Sequence, residues 1–222
     1  MAKKRIQIIG DSLSMHRKDE GILYKDTYPY ILSKKYEVIR TCGYGKTTND
    51  EFKIEPDVDY VIVHLGLVDC FPRVHAKNTK LILFYLPNQL RQMVTFFHRH
   101  YRFYFTRMFP RVTTESDDFI GNIIKIIRAI IGSGSIPIIV DIAHVSEAVT
   151  KRNYGANENI EKYNDILRRL SFHYDCERVR LHYMTKHYPE MLHTDGQHLS
   201  KIGHRVLSGL IDDTIEGYNG RK

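Results

Sequence analysis

Residues 60–65 read Tyr-Val-Ile-Val-His-Leu, a run almost continuous in β-branched and apolar side chains. Shorter runs of the same kind stand at 6–9 and 136–142, with weaker ones at 36–40 and 179–183. A strand that is apolar at every position has both faces covered, which is the mark of a parallel sheet between helices. Helical spacing between the runs agrees: 28–35, 119–131 (stopped by Gly132-Ser133-Gly134), 159–172 and a closing helix over 200–216. The alternation predicts a single α/β domain over 1–222, with about five parallel strands sandwiched between helical layers.

In open parallel sheets, ligands bind beyond the carboxyl ends of the strands. The segments at that rim are therefore the ones to search. After the first strand comes Gly10-Asp11-Ser12-Leu13-Ser14, after the second Gly43 and Gly45, and after the third Gly66 to Asp69. A hydroxyl is a weak nucleophile at neutral pH, and it needs a base in hydrogen-bond reach and a third group to orient that base. Ser12 is the candidate nucleophile. Near the other end, Asp195-Gly196-Gln197-His198 offers an orienting carboxylate and a base. Three residues apart on a helical turn, Asp195 and His198 would be neighbours. Each has a plainer reading: Ser12 as a helix N-cap, and Asp195 with His198 as a surface pair at a helix start. The Ser12 flanks do not match Gly-x-Ser-x-Gly, because Ser14 fills the last position, which argues against an α/β-hydrolase elbow.

Gly43 lacks a Cβ, so its N–H can approach a substrate oxygen and, with the N–H of Ser12, form a two-donor oxyanion site. Its alternative is a loop glycine. Asp69 is read either as part of the site or as a tie between loops. His187, His193 and His204 lie near His198, but no metal-ligand spacing fits them, so no metal is expected.

Gly-Asp-Ser-Leu-Ser at 10–14, Thr-Cys-Gly-Tyr-Gly at 41–45, Gly-Leu-Val-Asp at 66–69 and Asp-Gly-Gln-His-Leu at 195–199 together resemble the four ordered blocks of the SGNH/GDSL hydrolases. Tyr163-Asn164 and Lys201-Ile202-Gly203-His204 are similar to that family as well. The resemblance implies a flavodoxin-like α/β/α sandwich and ester chemistry without a cofactor. It casts Ser12 as nucleophile, His198 as base, Asp195 as its orienter, and Gly43 with the Ser12 N–H as oxyanion donors. The third block departs from the pattern. The family's Asn, a third oxyanion donor, is replaced by Val68, which cannot donate. Arg73 is the candidate substitute donor or substrate clamp, with a surface arginine as the alternative. The run from Gly66 to Arg73 also resembles a subgroup associated with bacterial surface polysaccharides.

The segment 73–111 interrupts the alternation and is rich in aromatics and bases, as in Phe103-Tyr104-Phe105-Thr106-Arg107. It is expected to be a helical insertion whose aromatics are mostly core, while its bases face an anionic glycan or membrane surface. The 33 Lys+Arg against 26 Asp+Glu give a net charge of +7, which suits acidic partners or a solvated basic face. No nucleic-acid partner is expected. Cys42, Cys70 and Cys176 form no even framework, and no apolar leader follows Met1, so a cytoplasmic location is expected. The function expected is a serine esterase that removes an acyl group, chiefly acetyl, from a carbohydrate or related small ester. The alternatives are an O-acyltransferase on the same scaffold and a catalytically silent glycan-binding module.

Overall fold

A computed structural model describes residues 3–74 and 85–219. Five strands, β1 (Arg5–Gly10), β2 (Glu37–Cys42), β3 (Tyr60–His64), β4 (Ile136–Val140) and β5 (Glu177–Val179), form one sheet. The order is β2-β1-β3-β4-β5 and every pairing is parallel. This is the doubly wound order, in which the chain reverses direction across the sheet between β1 and β3. Every residue of β3 is buried, as its unbroken apolar run requires. Gln7 is the one polar residue inside β1. Its amide donates to Thr41 Oγ1 and the Lys53 carbonyl, both at 2.8 Å, and accepts from Glu55 N–H at 3.0 Å. The burial of Gln7 is thereby compensated, and the chain leaving β2 is fastened to the sheet.

One helical layer holds α1 (Tyr28–Ser33) together with the C-terminal helix Lys201–Asn219. After β3 come α2 (Leu67–Cys70), α3 (Asn88–His100), α4 (Arg102–Met108) and α5 (Ser116–Gly132). Then follow α6 (Glu147–Thr150), α7 (Ala156–His173), α8 (Leu181–His187) and the closing helix as α9. The opposite layer is built on α5 and α7, with α2 against α7. Phe119, Ile123, Ile127 and Ile130 of α5 are fully buried at i, i+4, i+8 and i+11, the stripe of a helix lying on a sheet. The fifth strand expected over 179–183 lies earlier: it runs Glu177–Val179, shares only Val179 with that expectation, and residues from Leu181 onward form α8.

The insertion is helical, as α3 and α4, and part of it (75–84) lies outside the described residues. Its aromatics are not core. Phe96 and Tyr104 are 63% and 61% exposed. The physical reason is placement. The segment is moored at the rim through a few contacts rather than laid on a sheet face: Arg73 N–H to the Arg111 carbonyl, Thr106 Oγ1 to Tyr154 N–H, and Arg102 to Asn153. Among the described residues, no helix is long and apolar enough to cross a membrane.

Candidate active site

The registers of β1, β2 and β3 bring Gly10, Cys42 and His64 to one level, so the segments that follow them meet at one rim. Immediately after β1 the chain turns into a 3₁₀ turn at Ser12–Ser14. Asp11, not Ser12, caps it: its Oδ1 accepts Leu13 N–H at 2.8 Å. Ser12 is thus released from capping and its Oγ lies 3.2 Å from His198 Nε2. Asp11 itself is fully buried, and burial pushes its carboxyl up to about 7.

Asp195 and His198 are neighbours as expected, but not through a helical turn. They sit in a tight loop between the bridged residues Leu192 and Leu199. Gly196 permits the loop. Its φ is +75°, and a Cβ there would fall 1.9 Å from Ser146 Oγ. Its carbonyl accepts Ser146 N–H at 2.8 Å, fixing the loop to the segment after β4. Asp195 Oδ1 accepts the N–H groups of Gln197 and His198, each at 3.0 Å. Its Oδ2 stands 2.5 Å from His198 Nδ1. Burial raises the Asp195 carboxyl, but the imidazole N–H and these two backbone N–H groups outweigh it and hold it well below the usual carboxylate range. An ionised carboxylate only accepts, so the Nδ1 carries the proton and the Nε2 lone pair faces Ser12.

The remaining candidates are placed differently. Gly43 N–H donates to the Gly10 carbonyl at 3.1 Å, extending the β1–β2 ladder. It is engaged there. Two residues on, Gly45 has φ +70° and lies exposed in the same loop. Asp69 is engaged as a clamp: its buried carboxylate accepts Thr48 N–H at 3.0 Å, Thr48 Oγ1 at 2.8 Å and Thr114 Oγ1 at 2.6 Å. It fastens the loop after β2 and the chain before α5 to the end of β3. Arg73 braces the same region. Its Nε donates to Thr113 Oγ1 at 3.0 Å and its Nη2 to the Val68 carbonyl at 3.3 Å. The Asn-less position at Val68 is therefore not filled by Arg73 in this arrangement.

Arg17 was not singled out from the sequence, yet it reaches the centre of the site. Its Nη1 lies 3.2 Å from His198 Nε2, and its Nη2 lies 3.9 Å from Asp195 Oδ2. Glu20 fixes it through two contacts, Nε to Oε2 at 2.7 Å and Nη2 to Oε1. This hydrogen bonding raises the Arg17 pKa and lowers that of Glu20. His193 completes the group, with Nδ1 3.2 Å from Glu20 Oε2. Only its position, five residues past Ser12, linked Arg17 to the motif. Among the described residues, Glu20, His193 and Asp195 are the one set whose atoms converge as metal ligands do. Glu20 is ion-paired with Arg17, and Asp195 accepts from the His198 Nδ1–H with Arg17 3.9 Å away, so both carboxylates are already engaged by protein groups.

No family model matches this sequence, and no curated protein matches it. Solved structures do match. A lipase/acylhydrolase from Enterococcus faecalis is 18% identical with a TM-score of 0.65, the match covering 97% of this chain and 96% of that one. An acetyl xylan esterase is 19% identical with a TM-score of 0.61, over 95% and 99%. A GDSL-like lipase from Bacteroides thetaiotaomicron is 14% identical with a TM-score of 0.58, over 97% and 89%. The fold of this chain is that of the SGNH/GDSL hydrolases.

Proposed function

We propose, from that fold and the geometry at its rim, that the chain is a serine hydrolase of carboxylic esters. The observation that carries this reading is the unbroken line from Ser12 Oγ through the His198 ring to Asp195, at 3.2 and 2.5 Å. Ser12 Oγ attacks the ester carbonyl carbon as its proton passes to His198 Nε2. The tetrahedral oxyanion collapses, the alcohol leaves with the proton from Nε2, and an acyl-Ser12 remains. Water, deprotonated by the same nitrogen, releases the acid and restores the serine. Asp195 stays ionised throughout and holds the imidazole in the tautomer that accepts.

The oxyanion needs donors. The Ser12 N–H at the start of the 3₁₀ turn is the first. Since Gly43 N–H is engaged by Gly10, Gly45 N–H is the better second donor in the β2 loop. For the place that Val68 leaves empty, the Arg17 Nη1 beside His198 Nε2 is the best-placed cation. The acyl group is assigned as acetyl and the alcohol as a carbohydrate. Support comes from the matching acetyl xylan esterase and from a cavity beside the Asp195 loop roomy enough for a sugar. The same cavity supports a second reading, transfer of the acyl group to a sugar hydroxyl in place of water. The three unbridged cysteines support a reducing, cytoplasmic compartment.

The test is Ser12→Ala. It abolishes release of 4-nitrophenol from 4-nitrophenyl acetate and labelling of the wild-type protein's serine by a fluorophosphonate, with the fold intact by circular dichroism. Undiminished turnover in that variant defeats the assignment. Acetate release from an acetylated sugar without acceptor favours the hydrolase, and acceptor-dependent transfer favours the second reading.

A further inference from the structure

The chain's positive charge is concentrated in one place. Residues 70–114 contain eight Lys and Arg and no Asp or Glu, so the rest of the chain carries 25 against 26. Most of that segment is the insertion, and one of its arginines is turned inward. Arg102 is half-buried at the start of α4, and among the described residues its guanidinium meets only neutral acceptors, the Asn153 side-chain oxygen and the Pro72 carbonyl. Behind it lies Arg73, also held by neutral acceptors. Burial, and then the like charge of Arg73, push the Arg102 pKa down. Arg73 has the attraction of the nearby Asp69 carboxylate, but Arg102 has no carboxylate in contact among the described residues, and a partly buried guanidinium so placed is unfavourable unless an anion meets it.

The space for that anion exists. Arg102, Asn153, Arg152 and His100 line a cavity of about 730 Å³ whose far wall is Asp195 and Gln197, the loop that carries the triad carboxylate. Asp195 is already paired with His198 and flanked by Arg17, so it does not neutralise the arginines across the cavity. Asn153 and Pro72 fix the Arg102 fork and leave its other N–H groups free, the arrangement that binds a carboxylate or phosphate through two parallel hydrogen bonds.

We propose that this cavity is an anion subsite, and that the substrate is an ester of a sugar carrying a carboxylate or phosphate, held by Arg102 with Arg152 and His100 at the rim while its acyl group reaches Ser12. The inference rests on the esterase reading for turnover, but binding at the subsite is separable from it.

The experiment compares three probes: the acetyl esters of methyl glucoside, of methyl glucuronoside, and of methyl glucoside 6-phosphate. Acetate release by the wild type is measured together with calorimetric binding to the Ser12→Ala protein. A charged probe binds Ser12→Ala at least tenfold tighter than the neutral one, and the two charged probes tell carboxylate from phosphate. Arg102→Gln, made in the Ser12→Ala protein, reduces that preference by about 10- to 100-fold, the worth of a desolvated charge-assisted hydrogen bond. Arg169→Gln, on the exposed far end of α7, keeps it. If Arg102→Gln fails to fold, Arg102→Lys and Arg152→Gln take its place, each with a reduced preference. Equal binding of charged and neutral probes overturns the subsite, even where the wild type hydrolyses both and the esterase reading stands. Arg102-dependent binding without any turnover removes the esterase reading and leaves the subsite.

Discussion

Asp195→Asn changes one atom and tests the whole catalytic line. The asparagine oxygen can keep both contacts now made by Asp195 Oδ1, the N–H groups of Gln197 and His198 at 3.0 Å. The loop therefore stays closed, and the loss of stability is small, on the order of 1 kcal/mol for one altered hydrogen bond. The other end of the amide becomes an NH2 facing His198 Nδ1, which is 2.5 Å from the present Oδ2. Two donors cannot share that gap, so the imidazole gives up the Nδ1 proton and carries it on Nε2. Nε2 then points an N–H at Ser12 Oγ and at Arg17 Nη1, both 3.2 Å away. It no longer accepts the serine proton, and a nearby guanidinium makes the wrong tautomer worse. In a serine protease the equivalent change lowers kcat about 10⁴-fold, or about 5 kcal/mol at 1.4 kcal/mol per decade. We expect a fall of about 10³- to 10⁴-fold in 4-nitrophenyl acetate hydrolysis, with KM little altered and the thermal midpoint within a few degrees of wild type. Activity within tenfold of wild type in a folded Asp195→Asn protein refutes the proposed role of the carboxylate.

Two further outcomes follow from the site and from the core. Arg17→Gln lowers kcat about 100-fold, the value of one oxyanion donor, while fluorophosphonate labelling of Ser12 persists because the serine–histidine contact is untouched; an unchanged kcat removes Arg17 from the reaction. Stability falls as pH drops from 6.5 toward 4, because burial lowers His204 from 6.5 to about 4 and His64 to about 3, while buried Asp11 is raised from 3.8 to about 7. Between those limits the unfolded chain binds two histidine protons that the folded chain refuses, and the folded chain binds one at Asp11 that the unfolded chain lacks. For these three groups the net difference of one proton costs about 1.4 kcal/mol per pH unit on acidification, and burial also lowers His144 and His182, which adds to the fall. It is read as a falling urea midpoint, and a midpoint that holds steady or rises contradicts the assignment of these buried groups.

The strands were legible because a parallel strand covered on both faces must be apolar at every position, and the runs at 6–9, 60–65 and 136–142 have that property. The fifth lies two residues earlier than expected, because the apolar Val179 and Leu181 look alike in sequence, whereas the charged Glu177 and Arg178 together with Val179 pair with β4. Ser12, Asp195 and His198 stand out in the sequence as candidates because nucleophilic chemistry demands those residue types in company. Their geometry was only half legible: the short spacing of Asp195 and His198 announced proximity, but a glycine with positive φ, not a helix, supplies it. The aromatics of the insertion misled because hydrophobicity signals burial only where a surface is available to bury against, and these helices have only the rim.

Gly43, Asp69 and Arg73 all stand close behind a strand end, and at a strand end the unpaired backbone has to be satisfied. Gly10 takes the Gly43 N–H, Thr48 and Thr114 take Asp69, and the Val68 carbonyl takes Arg73. In the proposed chemistry the groups assigned to the substrate stand one step farther out: Gly45 beyond Gly43, and Arg102 in front of Arg73. On that reading the rim of this sheet has an inner ring of groups that close the fold and an outer ring of groups that meet the substrate, and substitutions in the outer ring are expected to change turnover without unfolding the chain.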